Sequence, residues 1–213
     1  MRVYISGVCS TGKTTLVNYI KDNLELFKSL IGVKNVVIID ELARKFFEQN
    51  NKGYETYAEL LKHYDDAMDY WSDLIKEFRK VSGECSASNY VYIIDRGPID
   101  YSVNLTLNYI SGSKKQLESR AREYASLMDR LTGSYDSLTF MTHSTYEVED
   151  DGFRPTELLY KRTLEVELFR LANRSNSDII YLPDSTEARF ARIVHEIYSR
   201  FEDKSNLKGI SRF

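Results

Sequence analysis

Residues 7 to 14 read Gly-Val-Cys-Ser-Thr-Gly-Lys-Thr, a pattern with two glycines five apart, then a lysine and a hydroxyl. Such spacing suits an anion. Consecutive backbone N–H groups of a glycine-containing turn can point inward and surround a phosphate at the start of a helix. Lys13 brings a point charge to the β- and γ-phosphates of a nucleotide, and the Thr14 hydroxyl suits a magnesium ion beside them. The expected nucleotide contacts are therefore Gly7, Ser10, Thr11, Gly12, Lys13, Thr14 and Thr15.

Three further clusters carry acids or cations just past apolar runs. Asn35 to Asp40 (NVVIID) is followed by Glu41-Leu-Ala-Arg44. A carboxylate at Glu41 can take the proton of an attacking hydroxyl, and Arg44 is placed to meet the acceptor. In the plainer reading Asp40 caps the helix that follows and Glu41 complements its dipole. Tyr90 to Asp95 (YVYIID) is followed by Arg96-Gly97-Pro98-Ile99-Asp100. An acid at the end of such a run holds magnesium in nucleotide-binding proteins, and the next guanidinium can clamp a phosphate or substrate. An Asp95 to Arg96 ion pair that merely fixes a turn is the alternative. Gly152-Phe153-Arg154 then leads into residues bearing Lys161, Arg162 and Arg170. A glycine followed by arginines suits a lid supplying transition-state cations, with Arg154 the candidate; pairing of these arginines with Glu157 or Glu165 explains them as simply. Tyr57, Tyr64, Tyr101 and Phe153 are candidates to stack on a base, with Tyr64 and Tyr101 favoured as substrate contacts. His63, His143 and His195 show no metal-ligand spacing.

The elements that must position these residues follow from pattern. Arg2 to Ser6, Asn35 to Asp40, Tyr90 to Asp95, Ser137 to His143 and Asp178 to Leu182 read as strands buried on both faces, separated by helical periodicity. Alternation of strand and helix predicts right-handed crossovers onto a parallel sheet. The expected fold is a doubly wound α/β domain with a mainly parallel five-stranded sheet, helices on both faces and a helical lid. Its ligand crevice should lie beyond the carboxyl ends of the strands, where every cluster above falls. Apolar spacing of three and four from Tyr54 to Phe78 predicts one long helix, Ser111 to Gly133 a charged one, and Ala188 to Phe201 a closing one. The whole chain, 1–213, reads as one domain with a lid over 144–170 and a loose tail over 202–213.

Composition narrows the class. The 213 residues are 42% hydrophobic with a net charge of −3, so a full core can form and no global positive field exists to hold long nucleic acid. A local basic cluster at Lys114, Lys115, Arg120 and Arg122 is the exception. Two cysteines, Cys9 and Cys85, make no disulfide framework, and no apolar run approaches the roughly 18 residues of a membrane span. A cytoplasmic protein in a reducing compartment is expected.

The phosphate-binding loop, Asp-Glu-Leu-Ala-Arg at 40–44, Asp-Arg-Gly-Pro at 95–98 and Gly-Phe-Arg at 152–154 occur in an order that resembles the small AAA-type ATPase and kinase family. That family includes the nicotinamide riboside kinase domain, and the chain is also similar to deoxynucleoside and thymidylate kinases. The resemblance implies a P-loop kinase fold over most of residues 2 to 190, Glu41 facing the phosphoryl acceptor, the Asp95-Arg96 pair beside it, and Arg154 contacting the donor. Deoxynucleoside kinases usually carry Glu-Pro and Asp-Arg-Ser where this chain has Glu-Leu and Asp-Arg-Gly, so the acceptor does not transfer. The expected activity is transfer of the γ-phosphoryl group of ATP, with Mg²⁺ held by Thr14 and Asp95, to a nucleoside, nucleotide or related small metabolite. Lys13, Glu41, Asp95, Arg96 and Arg154 form the catalytic set, and Glu41, Arg44, Arg96, Tyr64 and Tyr101 the substrate set. One alternative is a kinase of nucleic acid, acting at a polynucleotide end or on a modified base such as hydroxymethyluracil in DNA. A nucleotide-dependent switch or binding ATPase is the other. No Asn-Lys-x-Asp guanine-reading sequence is present.

Overall fold

The computed structural model describes residues 1–86, 89–132, 138–143, 158–174 and 178–210, with backbone alone at 132, 158 and 202–210. Five strands, β1 (Arg2–Ser6), β2 (Asn35–Ile39), β3 (Tyr90–Asp95), β4 (Leu138–Met141) and β5 (Asp178–Tyr181), form one parallel sheet in the order β2-β3-β1-β4-β5. The helices are α1 (Lys13–Asp22), α2 (Leu24–Ile31), α3 (Leu42–Asn50), α4 (Tyr57–Leu60), α5 (Tyr64–Glu84), α6 (Pro98–Ile110), α7 (Lys114–Thr132), α8 (Leu158–Ala172) and α9 (Thr186–Ile210). The α/β architecture with a five-stranded parallel sheet expected from the pattern is what is observed.

Side-chain alternation explains the layering. Along β1, Val3 and Ile5 pack on one face with Phe27, Ile193 and Ile197, while Tyr4 joins Trp71, Phe78 and Leu105 on the other. β3 repeats this, with Val91 and Ile93 on the first face and Tyr92 and Ile94 on the second. A third cluster, Val8, Ile99, Val103, Met141, Leu164 and Leu168, lies between the strand ends, α6 and α8. It fixes the neighbourhood of the phosphate-binding loop.

Several boundaries differ from the pattern. The outer strands are not buried on both faces: Val37 of β2 is 36% exposed and Tyr181 of β5 46%, because each has a neighbour on only one side. The long helix expected over 54–78 is two. Thr56 caps α4 by accepting the Glu59 N–H at 3.1 Å, and Lys62 and His63 then close tighter turns onto the Glu59 and Leu60 carbonyls. Asp65 and Asp66 open α5 with carboxylates in its first turn. Apolar periodicity runs through the break unchanged, so spacing did not show it. α7 begins at a Ser113–Gln116 capping box, Ser113 N–H donating to Gln116 Oε1 at 3.0 Å. The closing helix runs to Ile210, well past Phe201. Cys9 and Cys85 are both buried and free. Among the described residues no helix is long and apolar enough to cross a membrane.

Candidate active site

β1 delivers the chain into the loop at Gly7, and α1 takes over at Lys13. Two glycines are required here, Gly7 by the backbone behind it and Gly12 by its left-handed φ. A Cβ on Gly7 (φ +148°) would lie 2.6 Å from the Thr142 carbonyl oxygen, and one on Gly12 (φ +78°) 2.8 Å from Arg189 Nη1. Thr11 is buried and turned into the protein, donating to the Val8 carbonyl at 3.0 Å with its hydroxyl 2.7 Å from that of Thr142. Thr14 and Thr15 are exposed on the first turn of α1.

Lys13 is folded back on its own loop. Its Nζ donates to the Gly7 carbonyl at 2.7 Å and the Val8 carbonyl at 2.5 Å, and the residue is only 5% exposed. Burial, aided by the Arg96 charge, pulls its pKa down to about 8, against the opposing pull of Asp100, Asp95 and Glu41.

Asp95, the last residue of β3, is 3% exposed, and its Oδ1 makes no hydrogen bond among the described residues. Burial pushes its pKa up while Arg96 and Lys13 hold it down. Arg96 continues the ladder, its N–H donating to the Ile5 carbonyl at 3.0 Å, but with φ at +74°, a left-handed backbone that costs a non-glycine residue about 1–2 kcal/mol. That turn aims its guanidinium across the strand ends, where Nε donates to Glu41 Oε1 at 2.7 Å. The pair is largely buried. Burial opposes the Arg96 charge, but Glu41, Asp100 and Asp95 outweigh it and push the pKa up.

Glu41 occupies the cap position of α3 without a side-chain cap hydrogen bond, its carboxylate turned to Arg96 instead. Asp40 pairs with Lys21 and Lys45, and its pKa is lowered chiefly by the hydrogen bond from Lys21. Neither acid caps the helix.

A pocket opens between the loop and the second core. Gly7, Val8 and Cys9 form one wall, Glu41, Arg96 and Asp100 the floor, and Tyr57, Tyr70, Trp71 and Tyr101 the aromatic side, with Tyr160 and Leu164 of α8 opposite. The rings brace one another edge-on: Tyr57 to Trp71 at 6.1 Å and 82°, and Trp71 to Tyr101 at 6.3 Å and 70°. Tyr70 donates its hydroxyl to the Ala43 carbonyl at 2.9 Å. The buried Trp71 Nε1–H makes no hydrogen bond among the described residues.

The candidates read from sequence are thus partly brought together. Lys13, Glu41, Asp95, Arg96 and Tyr101 converge at the strand ends, and Tyr57 joins them. Arg44 lies on α3 outside the pocket lining, and Tyr64 stands at the start of α5 against Gly112, also away from it. Lys161 is buried on α8, while Arg162 and Arg170 pair with Glu165 and Glu167 at helical spacing. Arg154 and Phe153 lie outside the described residues.

Tyr70, Trp71 and Tyr160 of the pocket lining escaped the sequence reading, and so did two charged residues that brace the loop. Asp100, 2% exposed, accepts the Gly7 N–H at 3.0 Å with one oxygen and the Gly97 N–H at 2.9 Å with the other, tying the phosphate-binding loop to the Arg96 turn. Its place as the third residue of a Pro-initiated helix was the available signal. Arg189, also buried, donates to the Thr11 carbonyl at 2.7 Å, the Pro183 carbonyl at 2.7 Å and the His143 carbonyl at 3.4 Å. Inside an amphipathic helix it looked like any surface arginine.

Residues 2–189 match the AAA domain family. The chain belongs to that family. A comparison with the curated proteins found no match. Among solved structures, the member resembles deoxyadenosine kinase from M. mycoides, solved with dCMP and a flexible dCDP bound (TM-score 0.61, 15% identity, 93% of this chain and 100% of that one). It also resembles NadR in complex with NAD and AMP-PNP (0.55, 19%, 93% and 49%) and thymidylate kinase from Candida albicans (0.55, 13%, 96% and 92%). The chain spans about half the length of NadR. At these identities the likeness establishes the P-loop kinase fold.

Proposed function

We propose that this AAA domain is an ATP-dependent phosphotransferase that moves the γ-phosphoryl group to a hydroxyl or phosphate of a nucleoside, nucleotide or related small metabolite. One observation carries the reading: the phosphate-binding loop is itself a wall of the pocket whose floor holds Glu41 and Arg96. A donor phosphate on the loop and an acceptor in the pocket are neighbours, and such positioning supplies most of the catalysis in phosphoryl transfer.

The residues present fit magnesium and a triphosphate. The buried, unpartnered Asp95 Oδ1 and the exposed Thr14 hydroxyl are the atoms that would hold the metal. Magnesium, when bound, neutralises charge on the β- and γ-phosphate oxygens. Lys13 leaves the Gly7 and Val8 carbonyls to meet the phosphates, which offer its ammonium ionic partners in place of neutral ones. In the transfer, the bond from the γ-phosphorus to the bridging oxygen of ADP breaks as the acceptor oxygen bonds to phosphorus. The acceptor's proton passes to Glu41, whose carboxylate Arg96 orients. Asp100 keeps loop and Arg96 turn in register through Gly7 and Gly97.

A nucleic-acid substrate has less support. Within the basic cluster of α7, Arg120 is taken up by Asp65, Asp69 and Glu123. A pure nucleotide switch needs no acceptor pocket. The test is transfer of label from γ-labelled ATP to nucleosides, nucleotides, and single- and double-stranded DNA with normal and hydroxymethylated bases. Label in small acceptors is expected. Label in DNA alone would promote the nucleic-acid kinase, and an ATPase rate that no acceptor raises would promote the switch.

A further inference from the structure

Resting on the phosphotransferase reading, we infer that the acceptor enters the pocket without a phosphate: it is an alcohol carried on a flat, non-anionic ring, as in a nucleoside, and not a nucleoside monophosphate. Charge decides this first. Among the described residues, the charged groups of the lining are Glu41, Asp100 and Arg96, and Lys13 and Asp95 stand beside them, three carboxylates against two cations. Arg96 is already committed, its Nε 2.7 Å from Glu41 and its Nη1 4.0 Å from Asp100, and Lys13 is the cation the donor phosphates take up. A phosphate monoester, close to −2 at neutral pH, would have to displace Glu41 and then face Asp100 across a site too buried for water to screen the repulsion. A neutral hydroxyl meets the same floor favourably, because the Glu41 carboxylate accepts its proton.

The walls agree with the floor. Tyr57, Tyr70, Trp71 and Tyr101 are each 8% exposed or less and lock one another in place, Tyr70 edge-on to Trp71 at 5.7 Å and Tyr57 tilted against Tyr70 at 5.9 Å. Rings held this way form a rigid, largely apolar slot that suits a planar group, and the donors it offers are neutral hydroxyl and indole groups, not cations. Burial pushes the Tyr57 and Tyr101 hydroxyls far above the usual tyrosine pKa, so both stay neutral. Arg44, the nearest other cation in sequence to the floor, lies outside the lining.

The test uses the full chain with γ-labelled ATP and magnesium, and pairs each ribo- and deoxynucleoside with its own 5′-monophosphate. Nucleosides are expected to be labelled, with kcat/KM at least about a hundredfold above that of the matched monophosphate, and monophosphates are expected not to compete with them. A monophosphate within tenfold of the best nucleoside would overturn the inference and leave the phosphotransferase reading standing. Label in neither class, with ATP hydrolysis unchanged by both, would remove the reading and the inference together.

Discussion

Raising the pH from 8 to 10 should loosen nucleotide binding and tighten the fold, two opposite trends with one cause in Lys13. Its ammonium is buried against the neutral Gly7 and Val8 carbonyls, and its pKa falls from 10.5 to about 8. Bound phosphates favour the charged form and restore a higher value, so binding takes up a proton. The uptake should be about 0.1 proton per nucleotide at pH 7, about 0.5 at pH 8 and about 0.9 at pH 9. Affinity should accordingly drop about fiftyfold between pH 8 and 10. For stability the sign reverses. Between pH 8 and 10.5 the unfolded chain holds the Lys13 proton more tightly than the folded one, so unfolding free energy rises with pH across that window. Below pH 8 the buried ammonium costs about 3 kcal/mol, which is recovered above 10.5. Calorimetric titration of ADP in EDTA, in buffers of different ionisation enthalpy, reads the proton uptake directly, and Lys13→Met isolates it from other groups. An affinity flat from pH 8 to 10, or a pH dependence that Lys13→Met retains, would refute the reasoning.

Lys13→Ala should keep the fold by circular dichroism and lose about 3–4 kcal/mol of transition-state stabilisation, roughly a hundred- to thousandfold in turnover; a rate within threefold of wild type contradicts the assignment of the loop. Glu41→Gln should depress kcat with nucleotide affinity nearly unchanged, whereas Asp95→Asn should raise the magnesium requirement. Equal weakening of ATP binding in both variants would undo the separation of roles. Asp100→Ala strands the buried Gly7 and Gly97 N–H groups, at about 1–3 kcal/mol each, so thermal unfolding should shift down by about 5–20 °C. A shift under 2 °C would show that the loop does not depend on that carboxylate.

The loop and the acids of the candidate site were legible because each is marked locally. A phosphate cradle needs its glycines, lysine and threonine within eight consecutive residues, and the acids at 41 and 95 follow apolar runs whose composition marks them as strands. Strand order, by contrast, depends on which edges meet, and the partial exposure of β2 and β5 follows from their outer places rather than from their apolar residues. The break before α5 escaped because Leu60 and Ala67 face the same core on either side of it.

What the sequence determined by itself was the chemistry available: an anion-binding loop, two acids after strands and an arginine beside one of them. Tertiary structure decided which groups share a site. The Arg96–Glu41 pair spans 55 residues and Gly7–Asp100 spans 93, distances along the chain over which no periodicity carries information. Arg189 reaches Thr11 across 178 residues, and Tyr64 is turned aside while Tyr57 is brought in. Side-chain type is a property of one position; burial, partner and direction belong to the packing of the whole sheet and its helices, which is where the pocket and the pKa of Lys13 arise.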